Sequence, residues 1–250
     1  MPPTSGTPPN SGTSPTSHVP PTSDVSPTSH VPPTSDVPPS SDVSPEHGAH
    51  HIRVSARRDT DALYDICLRT GLHGEDASGV HRDPRLLGEV YVGPYLAYAP
   101  DLAFVLVDED DAPLGYVLGV ADTAAFDDWC EDRWWPELRA RYPLGVLPAR
   151  SADERVVRLI HTAERTPPSV VRDYPAHLHV DLLPEAQGGG HGRRLLTTLF
   201  DALRTRGVPG VHLGVSARNT RAAAFYARLG FQTLDADQHG ARLGLRLPPP

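Results

Sequence analysis

The sequence predicts an α/β fold, and three observations carry that prediction. From His177 to Leu247, apolar strand patterns alternate with helical ones in the order strand, loop, helix, strand, helix, strand. Upstream, Ala103–Val107 and Leu114–Val120 are apolar runs joined by Asp108-Glu-Asp-Asp111, the pattern of an antiparallel hairpin. Third, a glycine-rich turn, Gln187-Gly188-Gly189-Gly190-His191-Gly192-Arg193-Arg194, joins a strand to a helix start. Glycine lets backbone amides approach an anion, and a helix adds about half a positive charge at its N-terminus, so such a turn holds phosphate.

Composition narrows the function. The 250 residues allow one domain or two small ones, and 38% hydrophobic content supplies a core. A net charge of −8 excludes an ordinary nucleic-acid binder, which needs clustered positive charge. All 23 basic residues are arginine. Cys67 and Cys130 are far apart, which predicts a reducing compartment, no disulfide framework and no metal site of zinc type. No apolar run approaches the roughly 18 residues of a membrane span, and the N-terminus lacks a secretory pattern. A cytoplasmic protein with no membrane or nucleic-acid partner is expected.

The elements follow in chain order. Residues 1–50 repeat a six-residue unit, Pro15-Thr-Ser-His-Val-Pro20 and its successors, with one valine per unit and many prolines. That composition cannot offset the entropy of ordering the backbone, so an extended, disordered tail is predicted, with the folded domain over 51–250. Ile52–Val54 is a short strand. Asp59 or Thr60 caps a helix carrying Leu63, Ile66 and Cys67, with Gly71 as its stop. A loop follows in which Glu75 and Asp76 are candidates for contacting a cationic acceptor. Leu86, Leu87 and Val90 mark a short helix. Phe126, Trp129, Cys130 and Trp134 recur at helical spacing, and Pro136 restarts that helix; the tryptophans read as packed wall rather than ligand box. A helical pattern runs through Val156, Val157 and Ile160, and 166–175 reads as loop. His161 and Asp173 receive no role.

In His177–Leu182, alternation puts His177, His179 and Asp181 on one strand face and Leu178, Val180 and Leu182 on the other. Leu195, Leu196, Leu199, Phe200 and Leu203 form a helix stripe ending at Gly207. Val211–Val215 is a strand, Asn219 opens a helix bearing Phe225 and Tyr226, and Gly230 closes it. Two nucleotide-binding motifs fail against the glycine turn. A Walker loop needs a lysine that the chain lacks. The dinucleotide fingerprint is out of register, and no ribose-binding acid follows at the right distance.

These residues resemble the Gcn5-related N-acetyltransferases, the GNAT family. Gln187-Gly-Gly-Gly190-His-Gly192 is similar to that family's pyrophosphate loop. Leu213-Gly-Val215, Asn219-Thr-Arg-Ala222, Phe225-Tyr226 and Gly230-Phe231 resemble its second signature. The chain is also similar to the acetyltransferase-like C-terminal domain of O-GlcNAcases and its bacterial relatives. The resemblance implies a mixed, mostly antiparallel central sheet flanked by helices. It also implies N-acetylation of a small or peptidyl amine by acetyl-CoA, transferred directly in a ternary complex. Amides of Gly188, Gly189, Gly190, His191, Gly192 and Arg193 would bind the pyrophosphate, with Gln187 shaping the loop. Leu182 and Leu183 would pair with pantetheine and polarise the thioester. Asn219 is either a helix cap or a pantetheine donor. Tyr226 would protonate the departing thiolate, and His179 or Asp181 would serve as base. The competing class is a non-catalytic acyl-CoA-binding or interaction module of the same fold. A homodimer is kept open.

Overall fold

The computed structural model describes residues 50–249, so the hexapeptide repeat lies outside the described residues. Seven strands form one sheet: β1 (His51–Val54), β2 (Ala103–Val107), β3 (Pro113–Val120), β4 (Ala176–Leu182), β5 (Gly210–Ser216), β6 (Gln232–Ala236) and β7 (Gly240–Arg246). Their spatial order is β1-β2-β3-β4-β5-β7-β6. Every neighbouring pair is antiparallel except β4 and β5. That parallel pair meets only at Ala176–Val211 and His177–His212. Beyond those two positions the strands part, and the gap between them is the key feature of the molecule.

Helices cover both faces. The described helices are α1 (Thr60–Thr70), α2 (Leu86–Tyr91), α3 (Gly93–Tyr98), α4 (Thr123–Trp129), α5 (Trp135–Arg141), α6 (Ala152–His161), α7 (Pro168–Asp173), α8 (His191–Thr205) and α9 (Thr220–Arg228). The apolar stripe of α8, with Leu195, Leu196, Leu199 and Leu203 at 0 or 1% exposure, packs on β2, β3 and β4. It approaches so closely that a Cβ at Gly119 would stand 2.7 Å from Leu199 Cδ1. On the other face α1 packs against β3 and β4, and the rings of Tyr91 and Tyr95 meet His179. Alternation along β4 therefore turns His177, His179 and Asp181 toward α1–α3, and Leu178, Val180 and Leu182 toward α8. No helix among the described residues is long and apolar enough to cross a membrane.

Several local expectations are corrected. The stretch read as loop over 166–175 contains α7, whose Pro168 occupies the first turn, where its missing N–H costs nothing. Helix α3 is not among the expected elements; its Pro94 stands in the first turn, where a proline is well suited to start a helix. Helix α1 does stop at Gly71, its C-cap, but without a left-handed conformation, having φ −71. The chain turns instead at His73 (φ 56) and Gly74 (φ 98). Asp59 does not cap α1 through its side chain. It is 3% exposed and binds Arg53 at 2.7 and 3.0 Å and the Ala56 amide at 2.7 Å, locking β1 to the turn before α1. Between α4 and α5 one wide turn, Cys130–Trp134, has the π-helical pattern. Trp129 stacks there on Trp134, whose Nε1 donates to Glu89 O at 2.9 Å, so these two rings form a packed wall.

Candidate active site

The glycine turn is built to accept an anion. Gly188 and Gly190 have φ of +85 and +77, and a Cβ at either would find no atom within 4 Å. Only glycine adopts such angles readily, and the space a side chain would fill is open. Helix α8 makes its first internal bond from Arg194 N to Gly190 O at 3.1 Å. The amides of His191, Gly192 and Arg193 thus have no intrahelical acceptor and carry the positive end of a 15-residue helix. Gln187 braces the turn: its Nε2 donates to Leu182 O at 2.8 Å, and its Oε1 accepts from Arg221 on the first turn of α9. On the outer side His50 Nδ1 and His191 Nε2 lie 3.2 Å apart, while Arg194 donates to His50 O at 3.3 Å. Burial, then the charges of His50 and Arg194, lower the His191 pKa.

A cleft of about 840 Å³ runs from this turn into the gap between β4 and β5. A second compartment of about 330 Å³ continues it under α1 and α2. The two share Thr70, His73, Gly74, Val180, Asp181, Asn219, Ala222 and Tyr226. Arg193, Arg218, Arg221 and Arg228 line the outer cleft, and none forms an ion pair among the described residues. This is notable in a chain of net charge −8. Unpaired cations around an amide-lined turn suit a phosphate-bearing ligand.

Two groups with shifted acidities, Asp181 and Tyr226, meet where the compartments join, and a third, His179, lines the inner compartment. Asp181 is half-buried, and what it opens onto is the interior cavity. Burial raises its pKa, opposed by the Tyr116 hydroxyl, which donates to Oδ2 at 2.6 Å, and by Thr70. Tyr226 is 8% exposed and packs edge-on against Phe231. Among the described residues its hydroxyl makes no hydrogen bond, yet no buried polar side-chain atom is left unsatisfied, so the hydroxyl opens to the cavity. Burial first, and the Asp181 charge second, push its pKa up. Burial lowers His179 to about 4, so the imidazole is neutral near pH 7.

The predicted site residues separate into those the cleft gathers and those it does not. Leu182, Gln187, Gly188, Gly190, His191, Gly192, Arg193, Asn219, Tyr226, Asp181 and Glu75 all line the outer cleft, and His179 lines the inner compartment. Gly189 is not on the wall; it backs the His191 ring, where a Cβ would come within 2.8 Å of Nε2. Asp76 points away, its carboxylate held by the Ser78 amide at 2.8 Å. Leu183 is 4% exposed and its amide donates to Leu114 O at 2.9 Å, so that N–H is spent in the sheet. Pairing alternates along an antiparallel ladder, so the backbone groups of Val180 and Leu182 face the gap instead. Asn219 does cap α9, its Oδ1 accepting from Ala222 N at 3.0 Å. Its Nδ2 remains available beside Gly74. Sequence reasoning missed Tyr116 and the His73–Gly74 turn. A tyrosine in an otherwise aliphatic strand was the only signal for the first, and its pairing with Asp181 depends on register.

The structure is thus an α/β protein whose half-open sheet stands over an amide-lined, arginine-rimmed turn. Comparison with known proteins gives its family. Residues 75–231 match the Acetyltransferase (GNAT) family. The crystal structure of SsHAT is 42% identical, covers 80% of this chain and 99% of its own, and superposes with a TM-score of 0.76. Protein O-GlcNAcase of Rattus norvegicus is 26% identical over 183 residues, which are 72% of this chain and 20% of that protein. The chain thus spans about a fifth of the length of the O-GlcNAcases it matches. The [ribosomal protein bS18]-alanine N-acetyltransferase of Salmonella typhimurium is 38% identical over 103 residues, 41% of this chain and 64% of that protein. The chain belongs to the GNAT acetyltransferase family.

Proposed function

We propose that the protein is an N-acetyltransferase that moves the acetyl group of acetyl-CoA directly to a primary amine of a small molecule or peptide. The observation that carries this reading is continuity: one cleft joins the amide-lined turn to Tyr226 and Asp181 through the gap between β4 and β5. The outer arginines and the turn's amides hold the diphosphate. The cleft-facing amides of Val180 and Leu182 meet the pantetheine arm and the thioester carbonyl, fixed donors where negative charge develops. The Asn219 amide nitrogen adds a further donor.

Asp181 takes the proton that the acceptor ammonium must lose. A carboxylate whose pKa burial has raised is a stronger base than an ordinary one, whereas His179 at about 4 is weak. The amine nitrogen then forms the C–N bond, the C–S bond breaks, and Tyr226 gives its proton to the departing sulfur. Burial keeps Tyr226 protonated until that moment. The same enclosure destabilises a free thiolate, so proton transfer and C–S cleavage go together. The second proton that the nitrogen sheds on becoming an amide restores Tyr226, and Asp181 releases the first, so the products are an amide, the CoA thiol and one proton released to solvent.

The catalytic domain in this reading is 51–250, and Cys67 and Cys130, buried and unpaired, support a reducing, cytoplasmic setting. The test is calorimetric titration with acetyl-CoA followed by thiol release across an amine panel. Binding with amine-dependent thiol release supports the enzyme. Binding without release leaves a non-catalytic acyl-CoA module. No affinity for any acyl-CoA overturns the reading.

A further inference from the structure

We propose that the inner compartment is the acceptor site, that it takes the ammonium end of a slender primary amine with no acidic group near its nitrogen, and that Gly214 sets its bore. This rests on the donor reading above, which assigns the outer cleft to the coenzyme.

Charge is segregated along the cavity. The four arginines belong to the outer cleft, and the inner compartment has none on its wall. Arg242, beside Gly214 on β7, is tied to Asp235. The one carboxylate facing the inner compartment is Asp181, which forms no ion pair among the described residues. Its donor is the Tyr116 hydroxyl. A carboxylate set this deep without a cation is costly, and an arriving ammonium supplies the missing charge. A free α-amino acid would instead bring its own carboxylate beside Asp181, with no arginine there to meet it.

Gly214 supplies the second, independent observation. It is exposed within a strand whose preceding residues, Gly210–Leu213, are buried. Its backbone is not left-handed, and a Cβ built on it would have no atom within 4 Å. Neither chain conformation nor protein packing demands a glycine. A glycine inside a strand with no such reason marks a place where something else comes close. Alternation puts Gly214 on the face of His212, whose ring lies 5.6 Å from that of His177, the face shared with His179 and Asp181. The missing side chain thus leaves open the wall opposite the carboxylate. A compartment of about 330 Å³ is at the small end of ligand sites, which suits a narrow alkyl ammonium end.

The experiment compares the full chain with Gly214→Ala and Gly214→Val, using n-butylamine, 1,5-diaminopentane, glycine and glutamate as acceptors. The parent is expected to favour the two alkylamines, and Gly214→Val to lower their kcat/KM by about tenfold or more, with Gly214→Ala between. The Kd for acetyl-CoA and the melting temperature should not move, which separates a blocked acceptor channel from a damaged fold. Unchanged alkylamine kinetics in Gly214→Val, or a preference for glycine or glutamate, would overturn the proposal. If acetyl-CoA itself fails to bind, the donor reading falls alone, and titration with 1,5-diaminopentane decides this one. Binding lost on Gly214→Val upholds it; binding that is absent or indifferent to the substitution refutes it.

Discussion

Tyr226 and Asp181 face one cavity, and burial raises the pKa of both, which suits the opposite duties proposed for them. For Tyr226→Phe we expect turnover to fall about 100-fold with acetyl-CoA affinity retained, because only the transferable proton is lost. Pre-steady-state thiol release together with calorimetry checks the split, and undiminished turnover would remove Tyr226 from the chemistry. Asp181 has a consequence for stability as well. Its folded-state pKa is raised, so the native chain binds this proton more tightly than the unfolded chain, and stability falls as pH rises through that window. Above the folded pKa the penalty is fully present; below the unfolded value, about 3.9, it is gone. Asp181→Asn should therefore raise the melting temperature at neutral pH while abolishing turnover, and the gain should fade on acidification. A lower melting temperature at every pH would mean that the Tyr116 hydrogen bond outweighs the cost of burial. Residue identity made both candidates legible in the sequence. Their acidities were not legible, since these depend on what α1, α2 and β3 stack around them.

Elements whose boundaries are written in local chemistry were the ones legible in the chain. The stripe of α8, the glycines of the turn before it and the asparagine before α9 each announce themselves within a few residues. What escaped depends on contacts distant in sequence. The resemblance implied a coenzyme-edge role for Leu183, but its amide is bonded to Leu114, and ladder phase turns the backbone groups of Val180 and Leu182 to the gap. Gly71 does end α1, but the left-handed turn comes later, at His73–Gly74, which then reaches Asn219. Asn219 was readable in two ways, and the structure makes them compatible: Oδ1 caps α9 while Nδ2 stays available. Substitutions can part them. Asn219→Asp keeps an equally good cap and should leave stability unchanged while weakening acetyl-CoA binding, since the donor is gone. Asn219→Ala should lose both, with about 1 kcal/mol of stability. Thermal melts beside coenzyme titrations decide it, and an Asp variant with parental affinity would confine Asn219 to capping.

At the scale of the whole molecule, charge is distributed against its own average. A chain of net charge −8 repels a polyanion, yet four arginines without ion pairs among the described residues ring the outer cleft. Arg221 adds a brace across the gap by holding Gln187, joining the two halves of the sheet where β4 and β5 have parted. A local positive rim on a negative body can guide a diphosphate inward, and such guidance is screened by salt. In the proposed complex the pantetheine arm and acetyl group lie between strands against uncharged donors, so their binding should be nearly insensitive to it. We therefore expect the affinity for acetyl-CoA to fall about tenfold when salt is raised from low concentration to about 1 M, where the Debye length shrinks to about 3 Å. The affinity for S-acetylpantetheine, which lacks the diphosphate, should change little over the same range. Calorimetry of both ligands at the two salt concentrations makes the comparison. Acetyl-CoA binding that ignores salt would mean that the turn's amides alone hold the diphosphate and that the arginine rim serves something else.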